Sequence, residues 1–282
     1  LRKNSHFSED PNPKSKIQNL KSHTMPSRRL PNTTPSVLRT FKTAHDTYLN
    51  TADPADRAIG AELFAQLDLT LTPPSLYARF LKESSEVDIA QAEQAPLTSA
   101  AALEAARLTI YVSHFHQVLD LGITRGDFAS GARSYYGRDV TATALPDLST
   151  YDAVATAAGK IGTGEAARQL AEGAAFRPMA LPSAAEVAAH LTAFTAARNL
   201  AQQAQVKTDR EREDVSALYP AAQALAVDLC DTIEFYYRKD PDDASRRAKC
   251  KRWGVVYFYE PNEPQDPAPT PTPAPPANPP QI

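Results

Sequence analysis

Cysteine is nearly absent. The 282-residue chain has two, Cys230 and Cys250, too few for the disulfide framework that holds small secreted domains together. Charge of one sign is missing as well: 30 Lys and Arg stand against 33 Asp and Glu, a formal net charge of −3. The sequence pI is near 6.1, so no overall field gathers nucleic acid or anionic membrane around the molecule, and any such binding has to be local. Long hydrophobic runs are lacking too. The longest, such as Trp253 to Tyr259, fall far short of the roughly 20 residues needed for a helix to cross a bilayer. The opening LRKNSHFSEDPNPKSK has no apolar core of the kind a secretory signal requires, which makes the cytoplasm the expected compartment. Met25 lies within this polar lead-in and offers an alternative start that would leave residues 1–24 as upstream sequence.

What is present is a hydrophobic fraction of 42%, enough to bury a substantial core and to exclude disorder throughout. Residues 1–31 form a basic stretch rich in Lys, Arg, Ser, Asn and Pro without apolar periodicity, which predicts a disordered arm. Residues 261–282 contain ten prolines in runs such as PTPTPAPPANPP, which predict an extended polyproline II tail acting as spacer or ligand for aromatic grooves.

Between these ends the pattern is helical, and the expected fold class is all-α: an antiparallel bundle of helical hairpins with one short C-terminal strand. Thr34-Pro35 and Asp53-Pro54 read as helix starts, a capping side chain followed by proline. The second of these predicts a helix from Pro54 to about Leu67. Another is expected from Pro73-Pro74 to about Gln94, ended by Pro96. From Leu97 to Leu121 the apolar residues Leu103, Leu108, Ile110, Phe115 and Leu119 cover so wide an arc that this helix is expected to be the most buried. A short helix or turn to Tyr136 and a helix from Tyr151 to Gly173 follow. Ser183 with Glu186 fits a capping box and opens a helix to about Val215. The last hairpin joins Pro220–Tyr237 to a helix ending near Trp253, stopped by Gly254, and Val255 to Tyr259 read as a lone strand in need of a partner.

These elements divide into a first helical half, residues 32–145, and a second, residues 146–260, packed on it. The halves are faintly alike. Leu38, Phe41 and Ala44 match Leu191, Phe194 and Ala197 in spacing, each after a Leu-Pro, and Tyr136-Gly137 echoes Trp253-Gly254. A duplicated unit would account for this, and chance similarity between Ala-rich helices is the alternative. The segments SRRLPNT, near the start, and DDASRRAKCKRWGVVY, near the end, resemble a family of uncharacterised bacterial helical proteins over most of residues 25–260. The resemblance implies a helical fold and carries no activity or catalytic residue.

Each candidate site has a plainer reading. Gly162, Gly164 and Ala167 give the G-x-G-x-x-A spacing of dinucleotide-binding turns, but the preceding AVATAA reads as helix, and small residues at a close helix contact explain them better. His114 and His116 stand two apart and diverge on a helix, one expected inside and one outside. Glu186 and His190 share a face as half of a metal site without a second half. Cys230 and Cys250 lie at matching heights in the last hairpin and are expected as packed thiols. The cluster Arg246, Arg247, Lys249, Lys251 and Arg252 follows Asp242 and Asp243 in the order a helix dipole favours, which explains it without nucleic acid. Phe235, Tyr236 and Tyr237 read as core and rim. No catalytic, cofactor or metal residues are assigned. The expected role is a non-enzymatic interaction or scaffold module that binds a protein partner or itself, without membrane and without nucleic acid. The alternatives are an enzyme or metal-binding bundle assembled on folding around Glu186, His190 and His114, and nucleic-acid binding through the basic segments.

Overall fold

The computed structural model describes residues 26–259, so the expectations for residues 1–25 and for the proline-rich tail lie outside the described residues. Of the described residues 72% are helical, and a two-stranded antiparallel sheet completes the fold. In chain order the elements are β1 (Ser27–Arg29), α1 (Thr34–Asn50), α2 (Ala61–Ala65), α3 (Leu76–Arg125), α4 (Ala132–Tyr135), α5 (Tyr151–Glu172), α6 (Ala184–Tyr237), α7 (Asp243–Arg252) and β2 (Val256–Phe258). They form two compact units, one built from the stretches up to Phe64 and from Ala226 onward, the other from Ala65–Leu225.

In the first unit the two ends of the described stretch meet. Arg28 pairs with Tyr257 at the centre of the β1–β2 ladder, flanked by Ser27 with Phe258 and Arg29 with Val256. The strand expected to be alone thus takes its partner from the end of the stretch expected to be disordered. The reason is side-chain chemistry: Arg28 donates to Asp231 at 2.5 Å and Glu234 at 3.0 Å, and the Tyr257 hydroxyl donates to Glu234 at 2.7 Å, so one carboxylate holds both strands. Helix α1 begins at a capping box between Thr33 and Ser36, one residue before the expected Thr34. It packs on α7. Asp53 caps as expected, but only a single 3-10 turn, Pro54–Asp56, follows before Gly60 and the five-residue α2.

Two helices are far longer than expected. Pro96 does not end α3, which has 50 residues, and Pro220 does not begin a new helix but lies inside the 54-residue α6. A proline inside a helix removes one N–H bond and crowds the carbonyl four residues back. Both prolines are exposed, so those carbonyls, on Ala92 and Ser216, can turn to water. The neighbouring helix then holds the turns in line. Phe80 lies beside Tyr219, Glu93 pairs with Lys207 at 2.7 Å, Gln94 hydrogen-bonds Gln205, and Tyr111 packs against His190, a register that runs antiparallel along most of α3. Helices α4 and α5 close the other end around a core of Leu108, Val112, Phe115, Leu119, Tyr136, Ile161 and Phe194.

Candidate functional site

The helix expected to be the most buried is buried on one face only. Leu108, Val112, Phe115 and Leu119 are fully enclosed, whereas Leu103 is 53% exposed, Ile110 51% and Leu121 57%. Upstream on the same helix Leu81 is 39% and Ile89 53% exposed. At 3.6 residues per turn these five side chains fall within an arc of about 80°, centred nearly opposite the buried face. The wide apolar arc read from the sequence is therefore two stripes, one inside and one out. From Leu81 to Leu121 the outer stripe runs roughly 60 Å at 1.5 Å per residue.

Ala78, Ser85, Ala92, Pro96, Ser99, His114 and Gln117 fill the rest of that arc. It contains no carboxylate. Arg107 and Arg125 stand at its edge and are already paired, with Glu104 at 2.7 Å and Asp127 at 3.0 Å. At its C-terminal end the stripe opens into a groove of about 460 Å³ walled by Tyr111, His114, Leu121, Leu181 and Glu186. Leu181 is 75% exposed there. Exposed large apolar side chains occur elsewhere as well, among them Leu170 and Val206, but on α3 five of them fall on one line.

Of the residues singled out for metal, Glu186 and His114 line this groove, and His190 packs against Tyr111 in its wall. The Glu186 carboxylate accepts from the Ser183 N–H at 2.7 Å and its hydroxyl at 2.9 Å, bonds that hold its pKa below the usual range and complete the capping box. His190 packs against Tyr111 with ring centres 4.0 Å apart and the ring planes tilted by 40°. His114 is exposed and His116 buried, as their spacing requires. Elsewhere Glu83, Glu211 and Asp214 bring carboxylate oxygens within 4.8 Å of one another, an arrangement that could hold a cation, but Lys82 already donates to Glu83 at 3.1 Å.

Gly162, Gly164 and Ala167 lie within α5, not in a turn between strand and helix. A Cβ on Gly164 would stand 2.3 Å from the Tyr135 carbonyl oxygen, so this glycine is a close helix contact; Gly162 faces open space. Cys230 and Cys250 are buried free thiols, and burial pushes Cys230 up to about 11, far from a reactive thiolate. Among the basic residues of α7, Arg246 pairs with Asp243 at 2.8 Å, Lys249 with Asp240 at 2.6 Å, and Lys251 donates to the Tyr259 hydroxyl at 2.6 Å. Tyr237 accepts from the Trp253 indole at 3.0 Å and Tyr236 donates to the Ala55 carbonyl at 2.5 Å, while Phe235 stays 64% exposed under the Arg238 guanidinium.

The interior of the second unit is less dry than the apolar pattern implies. Arg168 is fully buried, bonded to the Tyr136 hydroxyl at 2.9 Å, to Glu165 and Glu172 at 3.2 Å, and to the Arg177 carbonyl at 2.6 Å. Tyr136 in turn donates to Glu165, and burial together with that carboxylate pushes its pKa up. Nearby, Asp120 accepts from Arg133 at 2.7 Å and Arg138 at 2.9 Å. Burial works to raise the Asp120 pKa, and the two arginine bonds outweigh it, leaving the carboxylate charged. Two buried groups are left over among the described residues: both ring nitrogens of His116 and the Nε of Arg138 lack a hydrogen-bond partner. None of these residues was legible as a site, because Tyr136, Glu165 and Arg168 meet only when α4 docks on α5. No family model, curated protein or solved structure matches the chain, and of what the resemblance to bacterial helical proteins implies, the structure carries the helical fold.

Proposed function

We propose that the chain is a non-enzymatic helical module that associates with a second copy of itself through the outer stripe of α3. The observation that carries this reading is the alignment of five exposed Leu and Ile side chains in one charge-poor arc. A self-complementary seam must work under a two-fold axis, where each residue meets one equidistant from the centre. With the axis at residue 101, Leu103 meets Ser99, Ile110 meets Ala92, and Gln117 meets Ser85, each larger side chain opposite a smaller one. Leu81 then meets Leu121 and falls at the 460 Å³ groove.

Area sets the size class. A seam about 60 Å long and 10 Å wide removes about 600 Å² from each partner, near 1,200 Å² in all, the lower bound for a specific interface. A weak, reversible dimer is the expectation for an interface at that bound. Sedimentation velocity on the full chain over a concentration series is the test, with a Leu103→Glu, Ile110→Glu double variant beside it. The wild type passes from monomer to dimer, and the variant, with carboxylates forced into an apolar seam, stays monomeric. Antiparallel pairing is read by thiol crosslinking, in which Leu81→Cys chains join Leu121→Cys chains but not each other. A strictly monomeric wild type, or a dimer indifferent to the two glutamates, would sink the reading.

A further inference from the structure

A cavity of about 270 Å³ lies in the first unit where the end of β1, the start of α1 and the turn after α7 come together, lined by Arg29, Asn32, Ser36, Arg39, Gly254 and Val256 among others. Arginine is the only charged residue type in its wall. We infer that this cavity binds the phosphate group of a small phosphate monoester, held between the Arg29 and Arg39 guanidiniums.

Charge is the first support. Arg29 and Arg39 form no ion pair and no side-chain hydrogen bond among the described residues, and no carboxylate lines the cavity. The carboxylates that β1 meets on α6 are taken by its other arginine: Arg28, on the opposite face of the strand, holds Asp231 at 2.5 Å and Glu234 at 3.0 Å. The one acidic residue of α1, Asp46, stands two turns beyond Arg39 and accepts from Lys42 at 2.5 Å. Geometry is the second. Helical side chains lean toward the N-terminus, so Arg39 reaches back over Ser36 and Pro35, toward the loop that follows Arg29. Gly254 closes the facing wall. At φ +97° it lets the turn after α7 approach α1, where a Cβ would stand 3.1 Å from Thr43 Cβ and 3.2 Å from the Thr40 carbonyl oxygen. Thr40 and Cys230, 2% and 1% exposed, form the floor, and the Thr40 hydroxyl is spent on the Ser36 carbonyl at 3.1 Å. The end of α1 is not itself the site, because the Thr33 hydroxyl already accepts from the Ser36 N–H and residue 35 is proline. The two cations carry the binding.

Ligand chemistry follows from the walls. A guanidinium stays charged at every working pH and presents a planar fork of N–H donors that matches phosphate oxygens, and two of them are balanced by a doubly charged group. Leu30, Pro31, Pro35 and Val256 supply apolar lining, which takes a small organic substituent on the ester oxygen.

The test is a titration of the full chain with phenyl phosphate, followed by the NMR amide signals of Asn32 and Gly254, with benzoate as the singly charged counterpart and inorganic phosphate as the ligand without a ring. Phenyl phosphate should give saturable shifts with a midpoint below about 5 mM, benzoate should bind about tenfold more weakly or worse, and inorganic phosphate severalfold more weakly. Lowering the pH from about 7.5 to about 5.5, across the second phosphate ionisation near 6, should weaken phenyl phosphate and leave benzoate unchanged. Arg29→Gln and Arg39→Gln should each cost about tenfold or more, the loss of one charge-assisted fork, while Arg79→Gln, another exposed arginine, on α3, should cost nothing. Arg29 and Arg39 are exposed, so their replacement leaves the fold intact, which the thermal midpoint checks. No saturable shift, benzoate or inorganic phosphate binding as tightly as phenyl phosphate, or unchanged affinity in either Arg29→Gln or Arg39→Gln would each overturn the inference.

Discussion

A single buried histidine makes stability depend on pH in a window where few side chains titrate. In the native protein His116 is lowered from 6.5 to about 4, first by burial, then by Arg138, with Asp120 opposing. The sign follows from proton counting. Between these two values the unfolded chain takes up a proton that the folded chain refuses, so the stability present above pH 6.5 is lost as the pH falls. Over that range the loss is about 3 kcal/mol at most. Urea unfolding at pH 7 and pH 4.5 measures it. His116→Leu should remove most of the difference, because it deletes the titrating ring, and should raise stability at both pH values by removing two unpaired buried nitrogens. Asp120 contributes in the same direction only at still lower pH, since Arg138 and Arg133 keep it charged.

At the scale of the helix, proline and glycine act against and with their usual meaning. Pro96 lies inside α3 on the solvent side, where the helix forgoes one N–H bond. Pro96→Ala restores that bond and relieves the clash, and should raise stability by about 1 kcal/mol or more in a denaturant titration. A loss of stability would mean that the proline shapes the stripe rather than merely being tolerated. The sequence made such positions misleading: Pro96 and Pro220 read as boundaries because local rules know nothing of Lys207 or Gln205 across the helix pair. Caps were more legible, since Ser183 with Glu186, Asp53 and Gly254 act through neighbours within a few residues. The Tyr136-Gly137 and Trp253-Gly254 echo is of this kind. Each glycine is left-handed, and the N–H after it reaches the carbonyl five residues back, Arg138 to Arg133 and Val255 to Cys250, the same helix-ending motif twice. The outer stripe of α3 was visible as apolar residues, but which half of a wide arc faces solvent is decided by the neighbours, here α5 and α6. The Tyr136, Glu165 and Arg168 cluster was not visible at all.

For the molecule as a whole, association and stability are one equilibrium. A partner that binds only the folded chain adds RT ln(1 + [L]/Kd) to its stability, about 2.7 kcal/mol at a hundredfold excess over Kd. If the folded chain's partner is its own copy, raising the protein concentration does the same work, and the thermal midpoint of the full chain should climb as the concentration increases. In the Leu103→Glu, Ile110→Glu variant the midpoint should be flat. Salt separates the apolar seam from charge-driven assembly. The arc has no carboxylate and its edge arginines are internally paired, so the concentration dependence should persist between about 0.1 and 1 M NaCl, where screening lengths fall from roughly 10 to 3 Å. Association that dissolved in salt would instead point to the charged faces, and to Lys207 with Glu93 as the first pair to examine.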